Sequence, residues 1–263
     1  MTYRIGRVLV VAGSDSGGGA GVQGDIKTIT ALGGYAACAI TAITVQNSLG
    51  VSAVHLIAPD LVEAQARAVL ADIGADAIKI GMLGQAAEAA ARVLGDWPDV
   101  PVVLDPVMIA KGGAALADAW GVAALKTLLL PRAALVTPNA PEAAALTGLA
   151  VETTDDLRRA GDALLALGCR AVLMKGGHIR GETVTDILMN PAGETTFEGP
   201  RIETRHTHGT GCALASACAT GVAQGLPLEA AVARAWGYVA EAIRRAPGFG
   251  AGAGPLDHAW PLR

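Results

Sequence analysis

Short apolar segments recur along this chain, and each of them ends at a glycine or a polar residue. Segments that are apolar on both faces and rich in β-branched residues are typical of strands buried within a parallel sheet. The chain has five such segments, at residues 8–12, 77–80, 102–104, 133–136 and 171–174. The pattern therefore predicts a central sheet whose strands run in parallel.

Stretches with helical periodicity occupy the intervals between these strands and the end of the chain. The predicted helices cover residues 22–32, 59–72, 86–94, 120–130, 141–146, 154–167, 211–223 and 228–245. Strands that alternate with helices in this way are typical of α/β proteins. We therefore predict a doubly wound α/β fold with a mostly parallel central sheet and helices on both faces.

Two regions interrupt the alternation. Residues 36–45 and 51–57 flank a turn-like segment and are predicted to be additional strands. Residues 183–189 and 195–199 flank Asn190-Pro191-Ala192-Gly193 and are predicted to form an antiparallel hairpin. We expect these parts to be small flap and hairpin elements that cover one sheet edge and the site.

The composition narrows the class of protein. The chain has 263 residues and a formal net charge of −4, and 52% of the residues are hydrophobic. This content is sufficient for a buried core, and the acidic balance argues against a nucleic-acid binder. No apolar run reaches the roughly 18 residues of a membrane span, and the apolar stretch near the start is too short for a signal peptide. We therefore predict one cytoplasmic domain over residues 1–263, without a membrane or nucleic-acid partner.

The predicted strands share a feature at their carboxyl ends, which is where open parallel sheets bind ligands. Glycine, polar and charged residues collect there, in Gly13-Ser14-Asp15, Gly81-Met82, Asp105-Pro106, Thr137-Pro138-Asn139 and Lys175-Gly176-Gly177. Ordinary turn chemistry is the alternative explanation for each loop taken singly. Together the loops predict a binding site at this edge of the sheet.

A glycine-rich segment, residues 19–24, follows the first predicted strand and matches the GxGxxG pattern. A dinucleotide-binding fold would place an acidic residue about 20 positions further on. No Asp or Glu stands between Asp25 and Asp60, which argues against that assignment. The segment is better explained by backbone amides that approach a ligand, or by a turn that serves packing alone.

Cys212 follows Gly209, Thr210 and Gly211 at the start of a predicted helix. The four cysteines of the chain are too scattered for a disulfide framework or a CxxC metal site. A helix N-terminus offers free N–H groups to an anion, and it can lower a thiol pKa from about 8.5 toward 3.5–7.5. Cys212 is therefore a candidate base; the alternatives are that it is a small buried hydrophobe or that a nearby histidine takes this role.

Oxygen-bearing residues stand in two neighbouring loops of the predicted edge. Asp105, Asn139 and Glu142 offer the kind of ligand that Mg²⁺ shares with substrate phosphates. Asn139 and Glu142 also match a helix-capping pattern, and both roles are compatible. Lys175, at a strand end before two glycines, is a candidate to reach a phosphate, and the alternative is an ordinary solvated lysine. The chain contains no GxxxxGK[ST] sequence, so a P-loop is excluded.

Taken in order along the chain, these motifs resemble the hydroxymethylpyrimidine/phosphomethylpyrimidine kinases of thiamine biosynthesis, a family within the ribokinase-like superfamily. The resemblance covers nearly the whole chain. Its motifs are residues 12–21, Thr41-Ala42, Gln46-Asn47, 79–82, 104–108, 137–139 with Glu142, 174–178, 207–212 and 252–255.

The resemblance implies a homodimeric kinase that uses ATP and Mg²⁺. Its acceptor would be 4-amino-5-hydroxymethyl-2-methylpyrimidine, which is phosphorylated to the monophosphate and then to the diphosphate. Many superfamily members carry Asp where this chain has Cys212. Because Cys also occurs in some related pyridoxal kinases, phosphorylation of pyridoxal or pyridoxine is the alternative activity.

The resemblance also assigns roles to individual residues. It implies that Gln46 hydrogen-bonds the aminopyrimidine, in a pocket lined by Gly13, Asp15, Ala20, Asp25, Met82 and Val107. The anion hole and the base would come from Gly209, Thr210, Gly211 and Cys212. ATP would be served by Lys175, Asn139, Glu142 and, in a mobile flap, Lys111, with Asp105 and Glu142 near the metal.

Overall fold

The computed structural model describes residues 4–108 and 119–263. Nine strands form one sheet. Their bounds are β1 Arg7–Asp15, β2 Tyr35–Asn47, β3 Gly50–Leu56, β4 Ala77–Ile80, β5 Val102–Leu104, β6 Leu135–Val136, β7 Val172–Met174, β8 Thr183–Asn190 and β9 Gly193–Pro200. The order across the sheet is β3-β2-β1-β4-β5-β6-β7-β8-β9.

Six neighbouring strands of the sheet, β2, β1, β4, β5, β6 and β7, pair with one another in parallel. At the two edges, β3 pairs antiparallel with β2, and β8 and β9 continue the sheet from β7 in antiparallel pairs. The prediction of a mostly parallel sheet is therefore confirmed, and β2 is a full member of its parallel part. The hairpin of β8 and β9 was expected to lie over a sheet edge. It instead continues the sheet, because β8 pairs directly with β7 from Val172 to Met174.

Helices cover both faces of the sheet. Their bounds are α1 Gly21–Ala31, α2 Pro59–Asp72, α3 Ala87–Asp96, α4 Ala119–Ala124, α5 Ala140–Thr147, α6 Thr154–Ala166, α7 Thr210–Ala223 and α8 Leu228–Arg244. The helix predicted over residues 120–130 is regular only as far as α4. It then continues as a π turn, Leu125–Leu129, and a 3₁₀ turn, Leu130–Arg132, because Pro131 lacks the N–H that a regular helix requires.

Alternate residues of each buried strand face the two helical layers. In β1, Leu9 and Val11 pack toward the layer that contains α2, α3, α5 and α6. Val8, Val10 and Ala12 pack toward α1, α7 and α8 on the other face. Since aromatic residues make up only 3% of the chain, small side chains must allow close approach. Helix α7 is almost wholly buried and consists mainly of Ala, Gly, Ser, Thr and Cys, so it can pack directly across the sheet.

Loops that follow the parallel strands meet at one edge of the sheet. A short parallel bridge joins Asn139, after β6, to Lys175, after β7. The start of α7 reaches the same edge, where His208 bridges to Pro255 of the C-terminal segment. None of the helices in the described part of the chain is both long and apolar enough to cross a bilayer.

Candidate active site

A cavity of about 850 Å³ opens at the carboxyl edge of the parallel strands. Nearly all of the site residues implied by the resemblance line it, namely Gly13, Asp15, Ala20, Gln46, Met82, Asp105, Val107, Asn139, Glu142, Lys175, Gly209, Thr210, Gly211 and Cys212. These residues come from seven separate segments of the chain, at the ends of strands and the starts of helices, so the topology of the sheet brings them together. The candidate Lys111 lies outside the described residues.

Asp15 organises the glycine-rich loop that follows β1. Its carboxylate accepts hydrogen bonds from the backbone N–H groups of Gly17, Gly19 and Ala20 at 2.8–3.1 Å. It also lies 2.7 Å from Nε2 of His208. Burial alone would raise the pKa of Asp15, but the hydrogen bonds from His208 and the loop amides hold it below its usual range. Asp15 therefore joins the glycine loop to the loop before α7.

The two glycine-rich loops approach each other closely. Gly209 has a φ of +89° and caps the start of α7, and a methyl group added there would overlap the carbonyl of Gly19. The missing side chain at Gly209 is therefore required both for the turn and for the contact. The GxGxxG segment serves this loop packing and the cavity wall, in agreement with the rejection of a dinucleotide site.

The N-terminus of α7 faces into the cavity. Within the described residues, no acceptor is found for the backbone N–H groups of Gly211 and Cys212. A Cβ added to Gly211 would lie 3.2 Å from Nζ of Lys175 and 3.8 Å from Oδ2 of Asp105. The hydroxyl of Thr210 donates to the carbonyl of Thr207 at 2.8 Å, which fixes the turn. Two amides without an acceptor among the described residues and an ammonium group thus lie at the start of one helix, an arrangement that suits an anion.

Lys175 lies between two carboxylates. Its Nζ is 3.0 Å from Oδ1 of Asp105 and 3.8 Å from Oε2 of Glu142. Burial raises the pKa of Glu142 to about 7, although Lys175 opposes the shift. Asn139 and Glu142 form the capping box of α5, each side chain accepting from the other's backbone N–H. The capping role foreseen for this pair is therefore confirmed, and Oε2 of Glu142 still borders the lysine.

The environment of Cys212 differs from the one expected at a helix terminus. The sequence argument predicted a lowered pKa, but burial raises the pKa of this half-buried thiol to about 11. Lys79 and the N–H of Gly21 favour the thiolate, whereas Asp25 and Asp105 disfavour it. In this state Cys212 is a neutral thiol, because burial and two carboxylates outweigh the groups that would ionise it.

Asp25 was expected on the pocket wall, but it lies beneath it. The residue is fully buried, and its carboxylate accepts from Nζ of Lys79 at 2.8 Å and from Oγ of Ser216 at 2.7 Å. Lys79 is the residue of this group that borders the cavity, and sequence reasoning did not single it out. The available signal was a lysine inside an otherwise apolar strand segment, residues 77–80.

The histidines near Cys212 serve packing and loop geometry. Nδ1 of His206 accepts from the N–H of Gly254 at 3.2 Å, which ties the C-terminal segment to this loop. Nε2 of His208 lies 3.3 Å from Nε2 of Gln46 as well as 2.7 Å from Asp15. His208 therefore connects Gln46 and Asp15, the two candidate residues for binding the pyrimidine.

The end of the cavity beside β9 and α8 was not foreseen, and it combines apolar side chains with the charged residues Arg201, Glu203 and Arg244. Its walls include Val184, Ile202, Trp236, Val239 and Ile243. Asp186 binds the indole of Trp236 and also accepts from the backbone N–H of Gly176 at 2.8 Å. Gly199 packs against the same indole: a Cβ added there would lie 2.6 Å from the Trp236 ring. This end can receive a flat apolar group, and the anion site lies between it and Gln46.

The sequence of the chain is similar to those of known kinases. The family model for phosphomethylpyrimidine kinase matches residues 15–257. A hydroxymethylpyrimidine/phosphomethylpyrimidine kinase of Streptomyces coelicolor is 48% identical over 257 residues, which cover 97% of this chain and 95% of that protein. The thiamine biosynthesis bifunctional protein ThiED of Geobacter sulfurreducens is 50% identical over 255 residues, or 96% of this chain; the match spans 52% of that relative.

A solved structure extends the comparison to the fold. An ADP complex of Bacillus subtilis pyridoxal kinase superposes with a TM-score of 0.91 at 33% identity, covering 99% of this chain and 100% of that one. The motifs, the sheet topology and the residues that line the cavity are those expected for this family. Because the family model spans most of the chain and the Streptomyces relative is similar along nearly its full length, the chain belongs to the phosphomethylpyrimidine kinase family, with a ribokinase-like fold.

Proposed function

We propose that this chain transfers the γ-phosphoryl group of ATP to 4-amino-5-hydroxymethyl-2-methylpyrimidine, and then transfers a second one to the resulting monophosphate. The observation that carries the proposal is the anion site at the start of α7. The amides of Gly211 and Cys212 have no acceptor among the described residues, and Nζ of Lys175 lies beside Gly211. In the order of the sheet, the strand ends that border it lie between Gln46, at the end of β2, and Gly199 of β9, which packs against Trp236. A phosphoryl group held at this point is positioned between an acceptor and a nucleotide base.

In the first transfer the acceptor is an alcohol. Cys212 takes the hydroxymethyl proton, the oxygen forms a bond to the γ-phosphorus, and the bond from that phosphorus to the β-phosphate oxygen breaks, so that ADP leaves with the electron pair. The amides of α7 and Lys175 stabilise the negative charge of the moving phosphoryl group. Because burial raises the pKa of the Cys212 thiol to about 11, the sulfur must lose its proton before it can act as a base.

In the second transfer the acceptor is a phosphate oxygen that is already negatively charged. No proton has to be removed before the attack, so the base is not required. The same amides and the same lysine stabilise the moving group. One cavity therefore performs both reactions, with Cys212 needed for only one of them.

The carboxylates beside Lys175 are suitable ligands for a magnesium ion. Asp105 and Glu142 offer two carboxylates beside Lys175, and Mg²⁺ in kinases is held by one or two carboxylates together with substrate phosphates and water. Bound there, the ion would neutralise phosphate charge. Burial raises the pKa of Glu142 to about 7, and a cation bound beside it would favour the ionised carboxylate.

The acceptor is tested by product analysis. The chain is incubated with MgATP and either the hydroxymethylpyrimidine, pyridoxal or no acceptor, and the products are identified by mass. We expect successive gains of one and two phosphoryl groups on the pyrimidine. Phosphorylation of pyridoxal alone would favour the alternative, which the similarity to a pyridoxal kinase supports. ATP hydrolysis without an acceptor product would refute both kinase proposals.

Substitution of Gly199 by alanine should weaken nucleotide binding. The added methyl group would lie 2.6 Å from the Trp236 ring, so the indole must move from its hydrogen bond with Asp186. We expect the KM for ATP to rise about tenfold, while the KM for the pyrimidine stays unchanged. Gly237→Ala is the matched control, because nothing lies within 4 Å of a Cβ added at that position. Equal effects of the two substitutions on the KM for ATP would contradict a position of the nucleotide base beside Trp236.

We also propose that two copies of the chain associate through the outer ribbon of β2 and β3. Large apolar side chains are exposed on it, with Ile43 50%, Val45 59% and Val54 40% accessible. We expect Val45→Glu to convert a dimer into a monomer in sedimentation analysis. Leu149→Glu, at another exposed apolar position, should leave the dimer intact. A wild-type monomer at micromolar concentration would contradict the proposal.

We also propose that the protein is located in the cytoplasm. The four cysteines Cys38, Cys169, Cys212 and Cys218 are all free thiols. A reducing compartment maintains thiols in this state, and the reaction consumes ATP.

A further inference from the structure

A buried ion pair lies directly beneath the cavity and is used by neither transfer as described above. Lys79, in β4, has no exposed surface and is among the largest fully buried side chains. Its Nζ lies 2.8 Å from Oδ2 of Asp25, and the other oxygen of Asp25 accepts from Oγ of Ser216 at 2.7 Å. Buried ion pairs contribute little to stability when compared with apolar side chains of equal volume. The position of this pair therefore calls for a functional explanation.

The pair is tied to the helix that carries Cys212. Ser216 follows Cys212 by four residues in α7, so the two side chains occupy the same face, one turn apart. Lys79 also borders the cavity, and its Nζ lies 2.9 Å from the position of a Cβ added at Gly81. Asp25 and Ser216 thus fix the ammonium group below the cavity, in a network anchored one turn of α7 after Cys212.

Several charged groups around Cys212 influence the ionisation of its thiol, and Lys79 is one that favours the thiolate. From β4, Lys79 favours the thiolate, as does the N–H of Gly21 at the start of α1. The carboxylates of Asp25, from α1, and Asp105, after β5, act against it, as does burial. Lys175, after β7, is a further cation whose charge is stabilised by the thiolate. Lys79 itself remains charged, because the carboxylate of Asp25 offsets the cost of its burial.

We propose that Lys79 is a positioning residue for the first transfer: held by Asp25 and Ser216, its ammonium group favours the Cys212 thiolate that takes the hydroxymethyl proton. The proposal rests on the proposed function, since it assumes that Cys212 is the base. In chemical terms, the proton of the alcohol moves to sulfur while the ammonium group remains protonated. Lys79 neither contacts the acceptor nor exchanges a proton.

The test measures the thiol itself, without ATP or acceptor. The rate at which iodoacetamide alkylates Cys212 is followed as a function of pH, with the modified peptide identified by mass. In Lys79→Gln we expect alkylation at pH 9 to fall about tenfold, which corresponds to a rise of about one pKa unit. Unfolding would expose the thiol and accelerate alkylation, so a loss of structure cannot imitate this result. An unchanged or faster rate in a variant with a native circular dichroism spectrum would overturn the proposal.

A second variant covers the possibility that Lys79→Gln does not fold, since it leaves Asp25 buried without its cation. Lys79→Met combined with Asp25→Leu removes both charges and leaves neither unpaired. Because the ammonium group affects the thiol more than Asp25 does, we expect alkylation to slow about two- to fivefold. A rate equal to or above that of the wild type would overturn the proposal.

Kinetics separate this proposal from the proposed function. In Lys79→Gln the pH profile of alcohol phosphorylation should move to higher pH, whereas the profile for the monophosphate acceptor should stay in place. If alkylation slows and the alcohol profile does not move, Lys79 has the proposed effect on the thiol but Cys212 is not the base. The assignment of Lys79 to the first transfer would then be overturned as well.

Discussion

Replacing Cys212 by alanine should slow phosphorylation of the hydroxymethyl alcohol by about 10²- to 10⁴-fold, the usual contribution of a positioned base. The sulfur of Cys212 is the candidate acceptor for the alcohol proton, and it stands beside the free amides of α7. Phosphorylation of the monophosphate needs no base and should slow less than about fivefold. Single-turnover assays with each acceptor measure the two rates separately.

The comparison of the two acceptors is the control for this prediction. A substitution that merely disturbed the amides at Gly211 and position 212 would slow both transfers, because both use them. Cys212→Ser keeps the size of the side chain but has a far weaker acid in place of the thiol, so it should behave like the alanine variant. Equal losses with both acceptors would show that Cys212 does not act as the base.

The second large effect is expected at Lys175. Substitution by methionine should slow both transfers by about 10²- to 10³-fold, similar to the loss of one preorganised donor in an anion hole. The ammonium group lies beside Gly211 and 3.0 Å from Asp105, so its charge acts on the moving phosphoryl group whichever acceptor is bound. Steady-state and single-turnover rates with the alcohol and the monophosphate provide the measurement.

Methionine at position 175 also removes the cation between Asp105 and Glu142. The pKa of Glu142, about 7 with the lysine present, should then rise further, because an opposing charge is lost. A native circular dichroism spectrum is required before the rates are interpreted. Loss of only the alcohol reaction in this variant would contradict the account, since it would assign to Lys175 the selectivity predicted for Cys212.

The parallel core of the fold could be predicted from the hydrophobic pattern because its strands are buried on both faces. The segments at residues 77–80 and 102–104 coincide with β4 and β5. The hairpin of β8 and β9 was also recognised, but its place in the sheet was not. Only its pairing with β7 makes it an extension of the sheet, and the residues of the hairpin do not themselves show which strand it joins.

The site was predictable to the extent that it consists of strand ends and one helix start. Lys175 and the glycines before Cys212 follow from that rule. The Lys79–Asp25 pair does not, since the two residues are separated by 54 positions in the chain and meet only after folding. The raised pKa of Cys212 was missed for the same reason. The helix terminus is visible in the sequence, whereas the burial that outweighs it is a property of the packed structure.

The central claim is that the first amides of α7 hold the phosphoryl group during transfer. A crystal structure of the chain with ADP, Mg²⁺, aluminium fluoride and the hydroxymethylpyrimidine tests it most directly, because the fluoride stands in for the group in transit. The account predicts fluorine atoms at about 3 Å from the amide nitrogens of Gly211 and Cys212 and from Nζ of Lys175. An aluminium fluoride bound away from these amides, with the pyrimidine hydroxyl out of reach of the Cys212 sulfur, would contradict it.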